Sequence, residues 1–390
     1  MKYYPYPYIK EKFTKREISI LQNFFTNIDK PVFAIHNLPQ EVVGALFSRY
    51  SRSEKNIRRL FLDEFWDSSF SSYSLDPKKL KKAQERTSSF YKKVYAEFGD
   101  DSVIQMGSVH IAFEFVSQIA AKVIEDQRIG AAYIERSTRY VNFGTNAGGR
   151  FLFMDVPEIK ESTIYKEYLK WNNTAFELYN KSFVMAMAYL KKKYPIESQI
   201  FETISTGSSF RFSKIKDLVE KEKLERAYDR ALRAKAFDTV RIFLPTTSVT
   251  NLGAHFSGQA AEHAINKMLC SKYAEVRLLG EMAYQELVKI TPNFLQNIKN
   301  HRGEVTRSYL KEISSFQEKV VNNYVTKIKL LDDRERVKLV DWDREADVKI
   351  VSQILYSAQT KTYFSKNEFY KWAKKKENGN KVLKILESGL

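Results

Sequence analysis

Residues Asp126–Tyr140 read DQRIGAAYIERSTRY, and the last six, Glu135-Arg136-Ser137-Thr138-Arg139-Tyr140, form the most informative string in the chain. They put a carboxylate (Glu135), a hydroxyl (Ser137) and a guanidinium (Arg139) at alternate positions, so that in an extended segment all three face the same way. Such a face suits a phosphorylated sugar. The guanidinium chelates a phosphate through two N–H bonds, the hydroxyl adds a donor, and the carboxylate accepts from a ribose hydroxyl or a base N–H. The same spacing also describes a surface strand carrying an ordinary Glu/Arg pair.

Just before this string, Val116, Ile119, Ala120, Val123 and Ile124 recur at helical spacing while Lys122, Glu125 and Asp126 fall opposite, which predicts an amphipathic helix. Val109–Phe115 reads as a strand-like or early-helix run, and the chain turns at Gly144, Gly148 and Gly149. Further upstream, helical patterns over Val42–Tyr50 and Asn56–Phe65 flank the basic, hydroxyl-rich stretch Ser48–Ser53, a junction that fits an anion or a solvated turn. Ser68–Arg86 reads as a loop leading into a helix near Ser88–Phe98. Downstream come a long helical pattern from Tyr165 to Lys193 that stops before Pro195, and a loop at Thr203–Ser213. Leu224–Leu287 reads as three helices: one ending before Pro245, one beginning near Ser257, and one from Tyr273 to Ile290. From Arg302 the chain is charged and mostly helical, with β-leaning runs at Val337–Val340 and Val348–Ile354.

The composition is that of a globular, helix-leaning protein: 43% hydrophobic and 14% aromatic residues, with only 14 Gly and 9 Pro in 390 residues. Lys and Arg number 64 against 47 Asp and Glu, a formal net charge of +17 that attracts anions. Nucleotides, nucleic acid and acidic proteins all qualify, and a Lys-rich or hot-growing proteome gives the same excess without a polyanion. The single cysteine, Cys270, excludes an internal disulfide and a thiolate metal cluster. It sits beside Met268 and Leu269 with no neighbouring histidine or arginine motif, so it reads as a core residue rather than a nucleophile. Five scattered histidines give no metal-ligand spacing, no segment is apolar enough to span a membrane, and the first residues, MKYYPYPYIKEKF, contain no continuous apolar run. A soluble, cytoplasmic protein is expected.

The string at Glu135–Tyr140 resembles the signature of flavin-dependent thymidylate synthases, which runs Arg-His-Arg, seven residues, Ser, one residue, Arg-Tyr. Its second half is intact as Ser137, Arg139 and Tyr140, preceded by the acidic Glu135. Where the family has Arg-His-Arg, this chain has Gln127-Arg128-Ile129. Gly99–Phe115 is similar to the segment before the family's helix, with Met106 where a histidine is usual. Arg233–Pro245, Ser257-Gly258-Gln259-Ala260 and the helix containing Tyr273-Ala274-Glu275 resemble the family's C-terminal region. There Arg233 matches a phosphate-contacting arginine, and Gln259 replaces a second one.

The resemblance implies a helix-rich α+β fold. Its expected parts are a core from residues 1–150 plus 225–300, a helical insertion at 151–224, and a mostly helical extension at 301–390. It implies that Glu135, Ser137, Arg139, Arg233 and Gln259 hold deoxyuridine monophosphate (dUMP), and that Arg128, Gln127 and Ser257 contact FAD. NADPH would reduce the flavin and methylenetetrahydrofolate would supply the carbon, with no side-chain nucleophile and no metal. The likeness is greatest to the N-terminal half of the long archaeal members, in which a second synthase-like domain follows, so a homo-oligomer or a partner chain is expected to complete the site. Two other readings compete. One is a catalytically degenerate homologue that scaffolds or regulates a partner; the other is a nucleic-acid-binding protein, suggested by net charge and by aromatic residues among Lys and Arg at Tyr363–Lys376.

Overall fold

The computed structural model describes residues 8–38, 40–66, 104–105, 107–147, 149–202, 209–215, 217–325, 339, 341–358 and 363–389. The expected loop at Ser68–Arg86, the helix near Ser88–Phe98 and Met106 lie outside the described residues. The chain divides into two units, Met1–Lys319 and Val320–Leu390.

The elements run in this order: α1 (Lys15–Leu21), β1 (Val32–Ile35), α2 (Gln40–Tyr50), α3 (Ile57–Leu60) with a π-turn at Phe61–Phe65, β2 (Ser108–Ser117), α4 (Gln118–Glu125) and β3 (Ala131–Glu135). The hairpin β4 (Asn146–Ala147) and β5 (Arg150–Phe151) follows, then α5 (Pro157–Lys160), α6 (Tyr165–Lys193) and the hairpin β6 (Ile200–Glu202) and β7 (Ser209–Arg211). After these come α7 (Leu218–Val240), β8 (Val249–Ser257), α8 (Gly258–Leu269), α9 (Ala274–Leu287), α10 (His301–Val325), α11 (Ala346–Ala358), α12 (Lys366–Ala373) and α13 (Gly379–Gly389). Among the described residues no helix is long and apolar enough to cross a membrane.

The first unit is built on an antiparallel sheet of order β1-β2-β8-β3 with both faces covered. Alternation decides which side each residue serves. Val32, Ala34, Val109, Ile111, Leu252 and Ala254 pack with α4, α8 and α9, while Phe33, Ile35 and Ala112 pack with α1, α2 and α3. The central strand β8 is absent from the three-helix reading of Leu224–Leu287. Its segment VTNLGAHFS is buried almost continuously, so it carries no period-two signal, and Asn251 and Gly253 lower its strand propensity. Gly253 is there for contact. A Cβ on it would lie 2.3 Å from Phe47 Cδ1 of α2.

The ambiguous run at Val109–Phe115 is strand, and the register breaks between Phe113 and Val116, where Phe115 takes φ +56°. This bulge goes with a fully buried Glu114, whose carboxylate meets Arg58 Nη2 at 3.3 Å and accepts from Tyr50 Oη and the Ile57 N–H. Helices α6 and α7 pair through stacked rings, Phe183 on Phe237 at 4.3 Å and Tyr179 on Phe237 at 6.4 Å.

The second unit contains α11, α12 and α13, with Val351, Ala373 and Val382 at its centre. The β-leaning reading of Val348–Ile354 is overturned, since these residues lie inside α11. Val348, Val351 and Leu355 recur at helical spacing and reach that core, and tertiary burial outweighs the β-branched preference.

Candidate functional site

The turn Gln127-Arg128-Ile129-Gly130 carries the chain from α4 into β3, and it is fixed from behind. Tyr133 Oη donates to the carbonyls of Ile124 (2.9 Å) and Gln127 (2.6 Å), and the Ser257 N–H donates to Gly130 O at 2.8 Å. Gly130 has φ +67°, and a Cβ there would sit 2.6 Å from Ser257 Oγ, so the turn admits little but glycine. A cleft of about 980 Å³ opens here, lined by Gln127, Arg128, Ser257 and Gln259 together with Glu262, His263, Asn266, Lys267 and Arg302. Ile129 stands at its edge, 86% exposed.

Burial pushes the Glu262 carboxyl up to about 7, against the pull of Arg302 and Asn297. His263 is held below its ordinary value by burial and by Lys267. Gln259, Glu262, His263, Asn266 and Lys267 follow i, i+3, i+4, i+7, i+8 spacing on α8. That polar stripe beside the buried alanines of the same helix was readable in the sequence and was missed.

At the other end of β3 the chain leaves the strand after Glu135, which pairs with Leu252. The extended reading of Glu135–Arg139 therefore fails beyond its first residue. Ser137 Oγ accepts from the Arg139 N–H at 3.3 Å, and Ser137 O accepts from the N–H groups of Tyr140 (3.2 Å) and Val141 (3.1 Å). A serine side chain that bonds its own backbone closes a turn in place of a ladder. The Ser137 N–H donates to Ser51 O at 2.9 Å, which ties this turn to the basic stretch after α2. The Glu135 carboxyl is raised by burial, with Thr250 and Gln118 beside it, and its Oε1 has no hydrogen bond of good geometry. Arg136 points inward, its guanidinium pushed down by burial near Tyr50 and Glu114.

Arg139 points outward, into a second cleft of about 730 Å³ that it shares with Arg52, Tyr140, Arg230, Arg233 and Lys235. Arg233 lies 5.5 Å from the ring centroids of both Phe183 and Phe237, and Arg52 and Arg139 lie 5.7 and 5.9 Å from that of Tyr140. Asp238 is the acidic residue of this cleft, and its Oδ1 is 3.1 Å from Arg241 and 3.7 Å from Arg139.

The structure therefore sorts the expected site residues into two groups. Arg139 and Arg233 meet in the second cleft, while Gln127, Arg128, Ser257 and Gln259 meet in the first. Glu135 and Ser137 stand between them along the chain, and Gln259 is with the expected flavin residues, not with Arg139. Arg230 lies one helical turn before Arg233 on α7. Cys270 is half-buried, its thiol raised by burial and directed to Arg307 O at 3.5 Å. Among the described residues no group of His, Cys, Asp and Glu could hold a metal ion.

A family profile described as thymidylate synthase complementing protein matches residues 67–293. The chain is 35% identical over 290 residues to a UPF0159 protein of Chlamydia muridarum, covering 74% of this chain and 50% of that protein. It is 32% identical over 387 residues to a UPF0159 protein of Chlamydia pneumoniae, covering 98% and 67%. To the UPF0159 protein Ta1429 of Thermoplasma acidophilum it is 28% identical over 302 residues, covering 76% and 57%. The chain thus spans about half to two thirds of the length of these curated relatives. Among solved structures, a UMP/dUMP methylase PolB from Streptomyces cacaoi bound with 5-Br dUMP aligns at TM-score 0.33 and 12% identity, covering 68% of this chain and 93% of that one. A likeness of that size carries no argument.

Proposed function

The chain belongs to the thymidylate synthase complementing protein family, and we propose that it serves a thymidylate synthase-like methylation, with dUMP as the nucleotide it binds. The observation that carries this reading is the meeting of Arg139 and Arg233, distant in sequence, in one cleft. Two guanidiniums converging on one concavity suit a phosphate dianion. Ser137 and the half-buried Glu135, which the family resemblance also assigns to the nucleotide, precede Arg139 in the chain but do not line this cleft.

In the proposed reaction, C5 of the pyrimidine gives up a proton and takes the one-carbon unit of methylenetetrahydrofolate, whose bond to the folate nitrogen breaks to release tetrahydrofolate, and a hydride originating in NADPH, which leaves as NADP+, completes the methyl group of dTMP. FAD, when bound, supplies the redox chemistry. The residues of the first cleft fit such a group, because Arg128, Lys267 and Arg302 are cations suited to a diphosphate and Gln127 and Ser257 stand beside them. Gln259 is neutral where the family has an arginine, which weakens phosphate binding by about 1.5–3 kcal/mol if a charged hydrogen bond is lost.

The first cleft is lined by the turn before β3 and the second by the turn after it. In this reading a second chain, either another copy or a partner carrying a second synthase-like domain, completes the site, as the family resemblance implies. A second reading follows from Gln127, Ile129 and Gln259, all uncharged at positions where the family carries arginine: the chain binds nucleotide but serves as a structural or regulatory subunit.

Visible absorbance of the purified chain, with and without added FAD and dUMP, tests this. Retained flavin whose bands respond to dUMP supports the catalytic reading. Binding of dUMP with no flavin under any condition supports the regulatory one, and binding of neither overturns both.

A further inference from the structure

We propose that the second cleft takes a nucleotide with more than one phosphate, a nucleoside di- or triphosphate, and that Arg52 and Arg230 hold the charge beyond the first phosphate. The inference rests on the nucleotide reading above and extends it to a different ligand class.

The charge count motivates it. Arg52, Arg139, Arg230, Arg233 and Lys235 line the cleft against the single carboxylate of Asp238, which already serves Arg241 and Arg139. Among the described residues, Arg52, Arg230, Arg233 and Lys235 make no ion pair. A monophosphate carries at most two negative charges, and Arg139 with Arg233 is enough to chelate it. Three cations are then left over in one concavity, where like charges repel unless a more highly charged anion sits among them.

Arg52, Arg139 and Arg233 also rest against aromatic rings. Arg233 lies over the Phe183 and Phe237 rings, and Arg52 shares the Tyr140 ring with Arg139, so little conformational freedom is lost when they grip an anion. The backbone bond from the Ser137 N–H to Ser51 O fixes the Arg52 turn against the Arg139 turn. Arg230 and Arg233 are three residues apart on α7 and share a helix face. The volume, about 730 Å³, lies within the roughly 300–1,000 Å³ usual for small-molecule sites. The basic stretch Ser48–Ser53 thereby acquires a role, since its two arginines diverge: Arg49 pairs with Glu64 at 2.7 Å, and Arg52 turns to the cleft.

The test is calorimetric titration of the full chain with dUMP, dUDP, dUTP, inorganic pyrophosphate and a thymidine oligonucleotide, at fixed ionic strength without divalent cations. Wild-type chain is compared with the double variant Arg52→Gln/Arg230→Gln and with Arg233→Gln, each checked by circular dichroism for an unchanged fold. The expected result is about ten-fold or tighter binding of dUTP than dUMP, a difference near 1.4 kcal/mol, with the ratio falling towards one in the double variant. Equal or tighter binding of dUMP, or a ratio that survives the double variant, overturns the inference. So does an oligonucleotide that displaces dUTP at equal phosphate concentration. If dUMP binds through Arg233 with no gain from further phosphates, the nucleotide reading stands and this inference falls. If pyrophosphate binds through Arg52 and Arg230 while no uridine nucleotide is preferred to it, the cleft is a pyrophosphate site and both the inference and the nucleotide reading fall.

Discussion

Ser117 and Ser257 stand at opposite ends of one antiparallel ladder, Ser117 facing Val249 and Ser257 facing Ser108, and each caps the helix that follows its strand. Ser117 Oγ accepts from the Ala120 N–H at 3.0 Å, and Ser257 Oγ from the Ala260 N–H at 3.2 Å. Their surroundings differ. Ser117 also donates from N (2.8 Å) and Oγ (2.6 Å) to the half-buried carboxylate of Glu275 on α9, whereas Ser257 opens onto the first cleft.

From this difference, Ser117→Ala should be the costlier of two equivalent cap deletions. Loss of a cap costs about 1 kcal/mol, and the stranded Glu275 oxygen adds about 1–3 kcal/mol. Urea denaturation of both variants checks it, and equal losses would contradict it.

Gly253→Ala should destabilise the first unit by about 1–3 kcal/mol, the usual cost of overpacking, because its Cβ meets the Phe47 ring at 2.3 Å. Adding Phe47→Leu should recover part of that loss in thermal unfolding. An unchanged melting temperature for Gly253→Ala alone would show that the ring yields freely.

Arg58→Met should be severe. It leaves Glu114 charged and buried, and breaking such a pair costs about 3–5 kcal/mol. The double variant Arg58→Met/Glu114→Gln is expected to be milder than the single one, since the orphaned charge is gone. A double variant as damaged as the single one would locate the cost in packing, not in charge.

Glu262 gives a pH dependence with a definite sign. Its folded pKa, about 7, lies above the ordinary 4.5, so the folded state binds the proton more tightly. The stabilisation is fully present below pH 4.5 and is lost as pH rises through about 7. Urea midpoints between pH 5 and 8 should therefore fall more steeply for the wild type than for Glu262→Gln. Parallel curves would count against this titration.

What could be read from the chain was what repeats or stops. The 29-residue α6 was legible because its apolar spacing is helical and Pro195 ends it. The strand β8 was not, since burial on both faces erases the alternation that announces a strand. Glu135, Ser137 and Arg139 were singled out as a group, and their alternate spacing misled once Ser137 turned its hydroxyl to the Arg139 N–H. That Arg139 meets Arg233 while Gln259 joins Arg128 depends on which end of β3 each segment returns to, and no local pattern encodes that.

Equilibrium binding of dUMP to the chain and to Arg233→Gln tests the central claim most directly. Saturable binding that weakens by about 10- to 100-fold in the variant, the loss of one charged hydrogen bond, is the expected result. No saturable binding by the wild type, or the same affinity in both proteins, would contradict it.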